Sequence, residues 1–445
     1  MMTIPRAALT AVAQLNQAGF EAYLVGGCVR DLLMGRTPGD YDLTTSAAPE
    51  QVQAVFSGCR TIETGLRHGT VTVLLEGLPL EITTFRTDGG YSDHRHPDSV
   101  RFASTLREDL ARRDFTVNAM AWHPEKGLQD LFGGRQDLEA GVIRCVGSPS
   151  QRFSEDALRI LRALRFAAVL GFSLDPATAE AALEQRALLA CVSRERIAAE
   201  LTKLLCGRDM RRVVTACWPV LAVPVPELAA MAGFDQHSRY HCYDVLTHCA
   251  AAAEAVPPEK VLRWAALLHD AGKPACFTLD PEGAGHFYGH AKRSAAMAEE
   301  ILTRLRFDRE TIRRVRALVE LHDYPIDPPD GSPERAVRRL LSRLGETDFF
   351  ALLALKRGDA LAHAPAFRAR AEACSRFESL GRELLQQQAC FSLRDLAVRG
   401  GDLMELGVSG PALGALLNRL LEAVMDGRVP NEKQALLRLA EKYRK

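Results

Sequence analysis

Two aspartates one residue apart, Asp40 and Asp42 in GDYDLTT, are the first residues in this 445-residue chain whose spacing implies chemistry. On a strand, residues i and i+2 face the same way, so both carboxylates would point to one side. Paired carboxylate oxygens suit hard divalent cations such as Mg2+. Two such ions activate an attacking hydroxyl and neutralise a leaving pyrophosphate. Upstream, Gly26 and Gly27 open a predicted helix. Glycines there let backbone N–H groups approach phosphate oxygens, and Arg30, one turn on, is placed to clamp a triphosphate. Glu81 stands near the start of LEITTFR. If that strand lies beside the DxD strand, Glu81 completes a catalytic set of Asp40, Asp42 and Glu81. Singly, each is an ordinary surface acid or glycine turn; the combination singles them out.

The segment EDALRILRALRF (155–166) has apolar residues at helical spacing. Read as one helix, it brings Asp156, Arg159 and Arg162 near one face, with Arg165 continuing the i+3 row. A carboxylate accepts from an exocyclic amine and a guanidinium donates to ring nitrogens or carbonyls. Cytosine and adenine both carry an exocyclic amine, so an Asp/Arg pair can imitate a Watson–Crick partner for either. In isolation, the same residues would be a surface ion pair worth a few tenths of a kcal/mol, on the order of other exposed pairs.

A third constellation lies further on. His248, the His269-Asp270 pair in LLHDAGKP and Asp359 form a mixed nitrogen/oxygen set for a transition metal or Mg2+, with His290 and His322 as added ligands if the site is binuclear. Such a site activates water for phosphoester hydrolysis.

These residues need elements to position them. Residues 1 to about 145 mix strand and helix patterns: a helix at Ala8–Gln17, and strands at Glu21–Val25, Thr70–Leu75 and Leu80–Phe85. Segment 86–99 is polar, rich in Gly and Pro, and reads as a mobile loop. Beyond Pro149 the pattern turns helical, broken at Pro224/Pro226, Pro257-Pro258, 279–285 and 325–333. The expected fold class is α+β, a small mixed-sheet head followed by a long all-helical neck, body and tail. The expected domains are 1–145 (head), 146–215 (neck), 216–385 (body) and 386–445 (tail).

Composition bounds the function. The apolar share of 47% and charged share of 25% belong to a globular protein, and no stretch approaches the roughly 18 apolar residues of a membrane helix. The N-terminal MMTIPRAALTAVAQL lacks the features of a signal peptide. The 11 cysteines are scattered without a CxxC pair, which speaks against a disulfide framework or zinc ribbon and for the cytoplasm. A net charge of zero argues mildly against nucleic acid, yet arginines cluster at 112–113, 152–165 and 194–196.

In order, GGxxRD…G…DxD, RRDFTVNAMA (112–121) and EDALRILRALRF resemble the class II tRNA nucleotidyltransferase and bacterial poly(A) polymerase family, over residues 20–210. The resemblance implies a head of the DNA polymerase β superfamily, with Mg2+ on Asp40 and Asp42. It implies that Arg113, Asp114 and Asn118 recognise the sugar, that Asp156 and Arg159 read the base, and that Arg162, Arg165 and Arg113 contact the nucleotide. From the residues alone, Asp114 could equally be a structural cap. Segment 86–101, with Arg86, Thr87, Tyr91, Asp93, Arg95 and Pro97, resembles the loop of members that add A as well as both Cs. SRERIAAEL (193–201) resembles a neck motif in which Glu195 and Arg196 stabilise a helix start under Ser193. The histidine–aspartate set resembles the HD phosphohydrolase superfamily. Residues 391–439 resemble an RNA-binding tail, where Gly410-Pro411 and Gly414 would start a helix that either receives a phosphate or is merely capped, and where Gly401 precedes Asp402 in place of the family's lysine.

The implied partners are tRNA, CTP and ATP, and the implied activity is template-independent CCA addition. Poly(A) addition is the alternative within the same chemistry. An HD hydrolase with a vestigial head and a non-catalytic RNA-binding protein are the alternatives outside it.

Overall fold

The computed structural model describes residues 4–62, 69–89, 100–325, 333–387 and 390–444. Tyr91, Asp93, Arg95 and Pro97 lie outside them. The chain divides into two compact units, Met1–Ala229 and Ala230–Lys445.

The first unit is built on a seven-stranded mixed sheet in the order β3-β4-β5-β2-β1-β8-β9. Its strands are β1 (Ala22–Val25), β2 (Tyr41–Thr45), β3 (Arg60–Ile62), β4 (Thr70–Leu75), β5 (Leu78–Thr84), β8 (Met120–His123) and β9 (Gly127–Asp130). A separate ladder joins β6 (Arg86–Asp88) to β7 (Val100–Phe102), so the expected loop at 86–99 begins as strand. Alternation sorts the side chains. Leu24, Leu43, Val71, Val73, Leu80 and Ile82 turn to one face, against Ala8, Val12 and Leu15 of α1 (Arg6–Gln17) and Val52 of α3 (Pro49–Val55). Tyr23, Val25 and Phe85 turn to the other, against Leu106 and Leu110 of α4 (Leu106–Ala111). Because Tyr41 and Leu43 belong to the first face, Asp42 is delivered to the second. The helix α2 (Gly27–Leu33) follows β1 directly.

The rest of this unit is α5 (Gly134–Ala140), α6 (Pro149–Glu155), α7 (Leu158–Leu170), α8 (Pro176–Glu184), α9 (Arg194–Leu205), α10 (Met210–Ala216) and α11 (Trp218–Leu221), and the boundary falls within α12 (Glu227–Met231). A two-residue parallel ladder, β10 (Val142–Ile143) with β11 (Ser173–Leu174), interrupts the helices.

The second unit is helical: α13 (Val245–Ala255), α14 (Lys260–Leu268), α15 (His290–Arg304), α16 (Arg309–Leu321), α17 (Pro333–Ala362, broken at Gly345 where φ is +73°) and α18 (Arg370–Gln386). The tail helices α19 (Gly400–Met404), α20 (Pro411–Met425) and α21 (Lys433–Arg444) close over their own core of Leu403, Leu416, Leu420 and Leu436. The small hairpin β12 (Thr278–Leu279) with β13 (Gly285–His286) falls where the sequence breaks at 279–285. The α+β expectation holds, with these two-residue ladders as local exceptions. They are too short to leave a period-2 pattern. Among the described residues no helix is long and apolar enough to cross a membrane, and all eleven cysteines are free.

Candidate active site

Asp42 lies on β2 and Asp40 just before it. β5 runs parallel to β2 with Glu81 in register with Asp42. The strand pairing that the third carboxylate required is therefore present. Asp42 is half-buried, and its carboxyl is pushed up to about 6, first by burial and then by the negative charges of Asp40 and Glu81, against the opposing charge of Arg113. An acidic cluster that raises its own proton affinity is one a divalent cation would neutralise.

Above this strand the backbone turns at Gly26, whose φ of +80° favours glycine and whose N–H donates to the Met120 carbonyl at 3.1 Å. A Cβ at Gly26 would lie 2.9 Å from Arg113 Nη1. Arg30 is buried, and its Nη1 donates to Asn118 Oδ1 at 2.7 Å. Asn118 Nδ2 in turn donates to Asp114 Oδ1 at 3.1 Å, and Arg162 donates from Nε and Nη2 to Asp114 Oδ2 at 2.8 and 2.5 Å. Burial alone would raise the Asp114 carboxyl, but the Arg162 charge and the Asn118 hydrogen bond hold it at about 2. Asp114 is thus the hub of an ion network, and its Oδ1 also accepts from the Phe115 N–H at 2.8 Å. Phe166 has the guanidinia of Arg165, Arg30 and Arg162 at 4.0, 5.2 and 5.5 Å from its ring centroid.

The base-reading segment departs from the expected single helix. α6 ends at Glu155, and Asp156 is extended (φ −135°, ψ 104°) before α7 begins. The cause is local: the Asp156 carboxylate accepts from the Leu158 N–H at 3.0 Å, an alternative to helical hydrogen bonding that aspartate favours. Asp156 pairs with Arg196 at 3.0 Å, and Arg159 with Glu155 at 2.7 Å. Arg165 pairs with Glu200 at 3.1 Å. The expected cap at Ser193 is also corrected. Its side chain makes no capping hydrogen bond to α9, and Arg196 reaches Asp156 instead.

A second cluster sits in the helical unit. Asp270 Oδ2 lies 3.2 Å from His269 Nε2 and 3.4 Å from His248 Nε2, while its Oδ1 lies 3.3 Å from His290 Nε2 and 3.4 Å from His322 Nε2. Asp359 Oδ1 approaches His248 at 3.0 Å and His269 at 3.5 Å. The chain thus brings all six expected residues together from α13, the C-terminal ends of α14 and α16, the start of α15, and α17. The Nδ1 atoms of His269, His290 and His322 each hydrogen-bond the carbonyl three residues earlier, at 2.8, 2.8 and 2.7 Å. That turns each Nε2 toward Asp270, with those of His290 and His322 3.3 Å apart. His269 Nε2 and Asp270 Oδ1 are buried without a hydrogen-bond partner, which fits a donor set made for a metal ion. Lys273, which the sequence reading passed over, pairs with Asp270 Oδ2 at 2.6 Å. A cavity of about 600 Å³ opens beside the cluster, lined by Arg239, Lys273 and Arg370 among others.

In the tail, Asp402 accepts from the Arg399 N–H at 2.7 Å and pairs with Lys433 at 2.5 Å. Gly410 takes φ +62° at the start of α20.

Three family models match parts of the chain: a poly A polymerase head domain over residues 22–144, a probable RNA- and SrmB-binding site of polymerase A over 171–218, and a putative tRNA nucleotidyltransferase domain 2 over 287–440. The CCA-adding enzyme of Bacillus velezensis is 36% identical over 428 residues, covering 96% of this chain and 95% of that protein. The chain belongs to the CCA-adding enzyme family. Within it, the structure of the Bacillus stearothermophilus CCA-adding enzyme in complex with CTP aligns over 99% of this chain and 98% of that one, at 31% identity and a TM-score of 0.71. The Thermotoga maritima CCA-adding enzyme complexed with tRNA shares the fold, with a TM-score of 0.62 at 21% identity.

Within the quoted motifs, Glu155, Glu200 and Phe166 join the arginine network without having been singled out, and outside them Asp109 joins it too. Of these, Asp109 carried a sequence signal, an acid three and four residues before two arginines, which here fall at and just past the C-terminus of α4.

Proposed function

We propose that this nucleotidyltransferase builds or repairs the 3′ CCA end of tRNA from CTP and ATP without a nucleic-acid template. The observation that carries the reading is the register of Asp42 with Glu81, together with Arg113 at the Gly26 turn linked through Asp109 and Arg112 to Arg159. Asp40, Asp42 and Glu81 would hold Mg2+, which supplies activation of the tRNA 3′ hydroxyl and charge neutralisation of the leaving pyrophosphate. Gly26 and Gly27 admit the phosphates, with Arg30 and Arg113 beside them. Asp114 and Asn118 face the sugar. Asp156 and Arg159 offer one acceptor and one donor set to the base edge, and exchange their partners Arg196 and Glu155 for it. Arg162 and Arg165 supply positive charge around Phe166. The tail would bind the tRNA by its shape. Eleven free cysteines agree with a cytoplasmic setting.

A second activity belongs to the same reading. His248, His269, Asp270 and Asp359, with His290 and His322, would hold a divalent transition metal or Mg2+ in an HD domain that hydrolyses phosphoesters. Asp270 has one oxygen facing each histidine pair, which favours two ions over one.

Incubation with tRNA lacking its 3′ end separates the readings. Growth by two residues with CTP and by three with CTP and ATP supports CCA addition; a long tail from ATP alone favours poly(A) addition and overturns it.

A further inference from the structure

Asp109 on α4 is fully buried, yet no motif of the proposed chemistry includes it. Its two carboxylate oxygens serve different neighbours. Oδ2 accepts from Thr44 Oγ1 at 3.0 Å and from Arg113 Nη2 at 3.3 Å. Thr44 is two residues beyond Asp42 on the same face of β2, and Arg113 is the guanidinium against Gly26. Oδ1 accepts from Arg112 Nε at 3.0 Å and Nη2 at 2.7 Å. The backbone carbonyl of Arg112 then accepts from Arg159 Nη2 at 3.2 Å. One carboxylate thus ties the catalytic strand to the nucleotide arginine and, through one residue, to the base-reading arginine.

We propose that Asp109 is a positioning residue that sets Arg113 over the Gly26 turn and Arg159 at the base edge, both in register with the catalytic strand. The proposal rests on the reading of Arg113 and Arg159 as nucleotide contacts. A buried carboxylate between two arginines and a hydroxyl has charge-assisted hydrogen bonds that hold direction as well as energy. Replacing it by an amide keeps the shape but loses the charge, and places an N–H2 donor against one of the guanidinia. The one remaining oxygen cannot serve Arg112 and Arg113 alike, and the guanidinium left over must be ordered on nucleotide binding.

The test is steady-state kinetics with CTP and ATP on full-length protein. Asp109→Asn is expected to raise KM for both nucleotides about tenfold. In an Arg113→Ala background it is expected to add less than in the parent, because only the arm through Arg112 to Arg159 is left to lose. Thr44→Val removes the strand hydroxyl but leaves the Arg113 pair, so it should lower the melting temperature with KM within about twofold. Asp109→Glu keeps the charge but displaces it by one methylene, and gives the same reading should Asp109→Asn not fold: a raised KM supports the role, an unchanged KM overturns it. Equal loss of thermal stability in Asp109→Asn and Thr44→Val with unchanged KM in both also overturns it. An impaired Arg113→Ala beside an unimpaired Asp109→Asn overturns the positioning role alone. An unimpaired Arg113→Ala overturns the nucleotide-contact reading and the proposal with it.

Discussion

Asp42 and Glu81 are in register across a parallel pairing of β2 and β5, two strands separated in sequence by 32 residues. Parallel neighbours require a crossover, so this pair cannot be formed by a hairpin and exists only in the complete head. Asp42→Ala is expected to reduce nucleotide addition by at least about 10³-fold, since the cation loses its most buried ligand. The phosphoester hydrolysis proposed for the helical unit should be unaffected. Addition assayed on tRNA lacking its 3′ end, beside hydrolysis of a chromogenic phosphodiester, checks both halves.

Asp156→Ala should blur the choice among CTP, ATP, GTP and UTP more than it slows CTP addition, because it removes the acceptor for the exocyclic amine. Arg196→Ala should move selectivity the same way by a smaller factor, since it frees Asp156 without removing it. Competition among the four triphosphates measures this; unchanged selectivity in Asp156→Ala would remove the protein-template reading.

Gly26→Ala combines a positive φ with a Cβ 2.9 Å from Arg113 Nη1. A stability loss of about 1–3 kcal/mol is expected from the backbone strain, together with weaker nucleotide binding as Arg113 shifts. Urea denaturation and nucleotide titration read the two effects separately.

Asp114 links protonation to folding. Its folded carboxyl sits at about 2, below the ordinary 3.8 of an unfolded chain. The unfolded chain therefore binds the proton first as pH falls. The stabilisation, roughly 2 kcal/mol, is complete above about pH 4 and fades toward pH 2. Asp114→Asn should lie below the parent by a constant margin from neutral pH down to about pH 4, and the margin should close below that. Denaturation midpoints across the pH range would show it; a pH-independent margin would mean the Arg162 pair carries no net charge effect.

His269→Ala is expected to remove metal from the helical unit and to abolish hydrolysis while nucleotide addition persists. Metal content of the purified protein measures the first, independent of any substrate.

The acid pair, the glycine turn and the histidine–aspartate doublet were legible because each is short. Their spacing alone fixes what neighbouring side chains can do. The strands at 70–75 and 80–85 were legible from β-branched residues, and the head-then-helices order from the change of pattern at Pro149. The break at Asp156 was not. An apolar helical period runs through EDALRILRALRF, and periodicity does not report that an aspartate side chain has taken a backbone N–H for itself.

The sequence by itself determined the residue types, their local spacing and hence the classes of chemistry within reach. Only the tertiary structure decided the partners: Glu81 with Asp42, Arg113 over Gly26, Asp109 between Thr44 and Arg113, and Asp270 between two histidine pairs. Local spacing is set by covalent geometry and the periods of helix and strand, which any short window contains. Partnership across tens of residues is set by which faces bury together, and that depends on the whole chain at once.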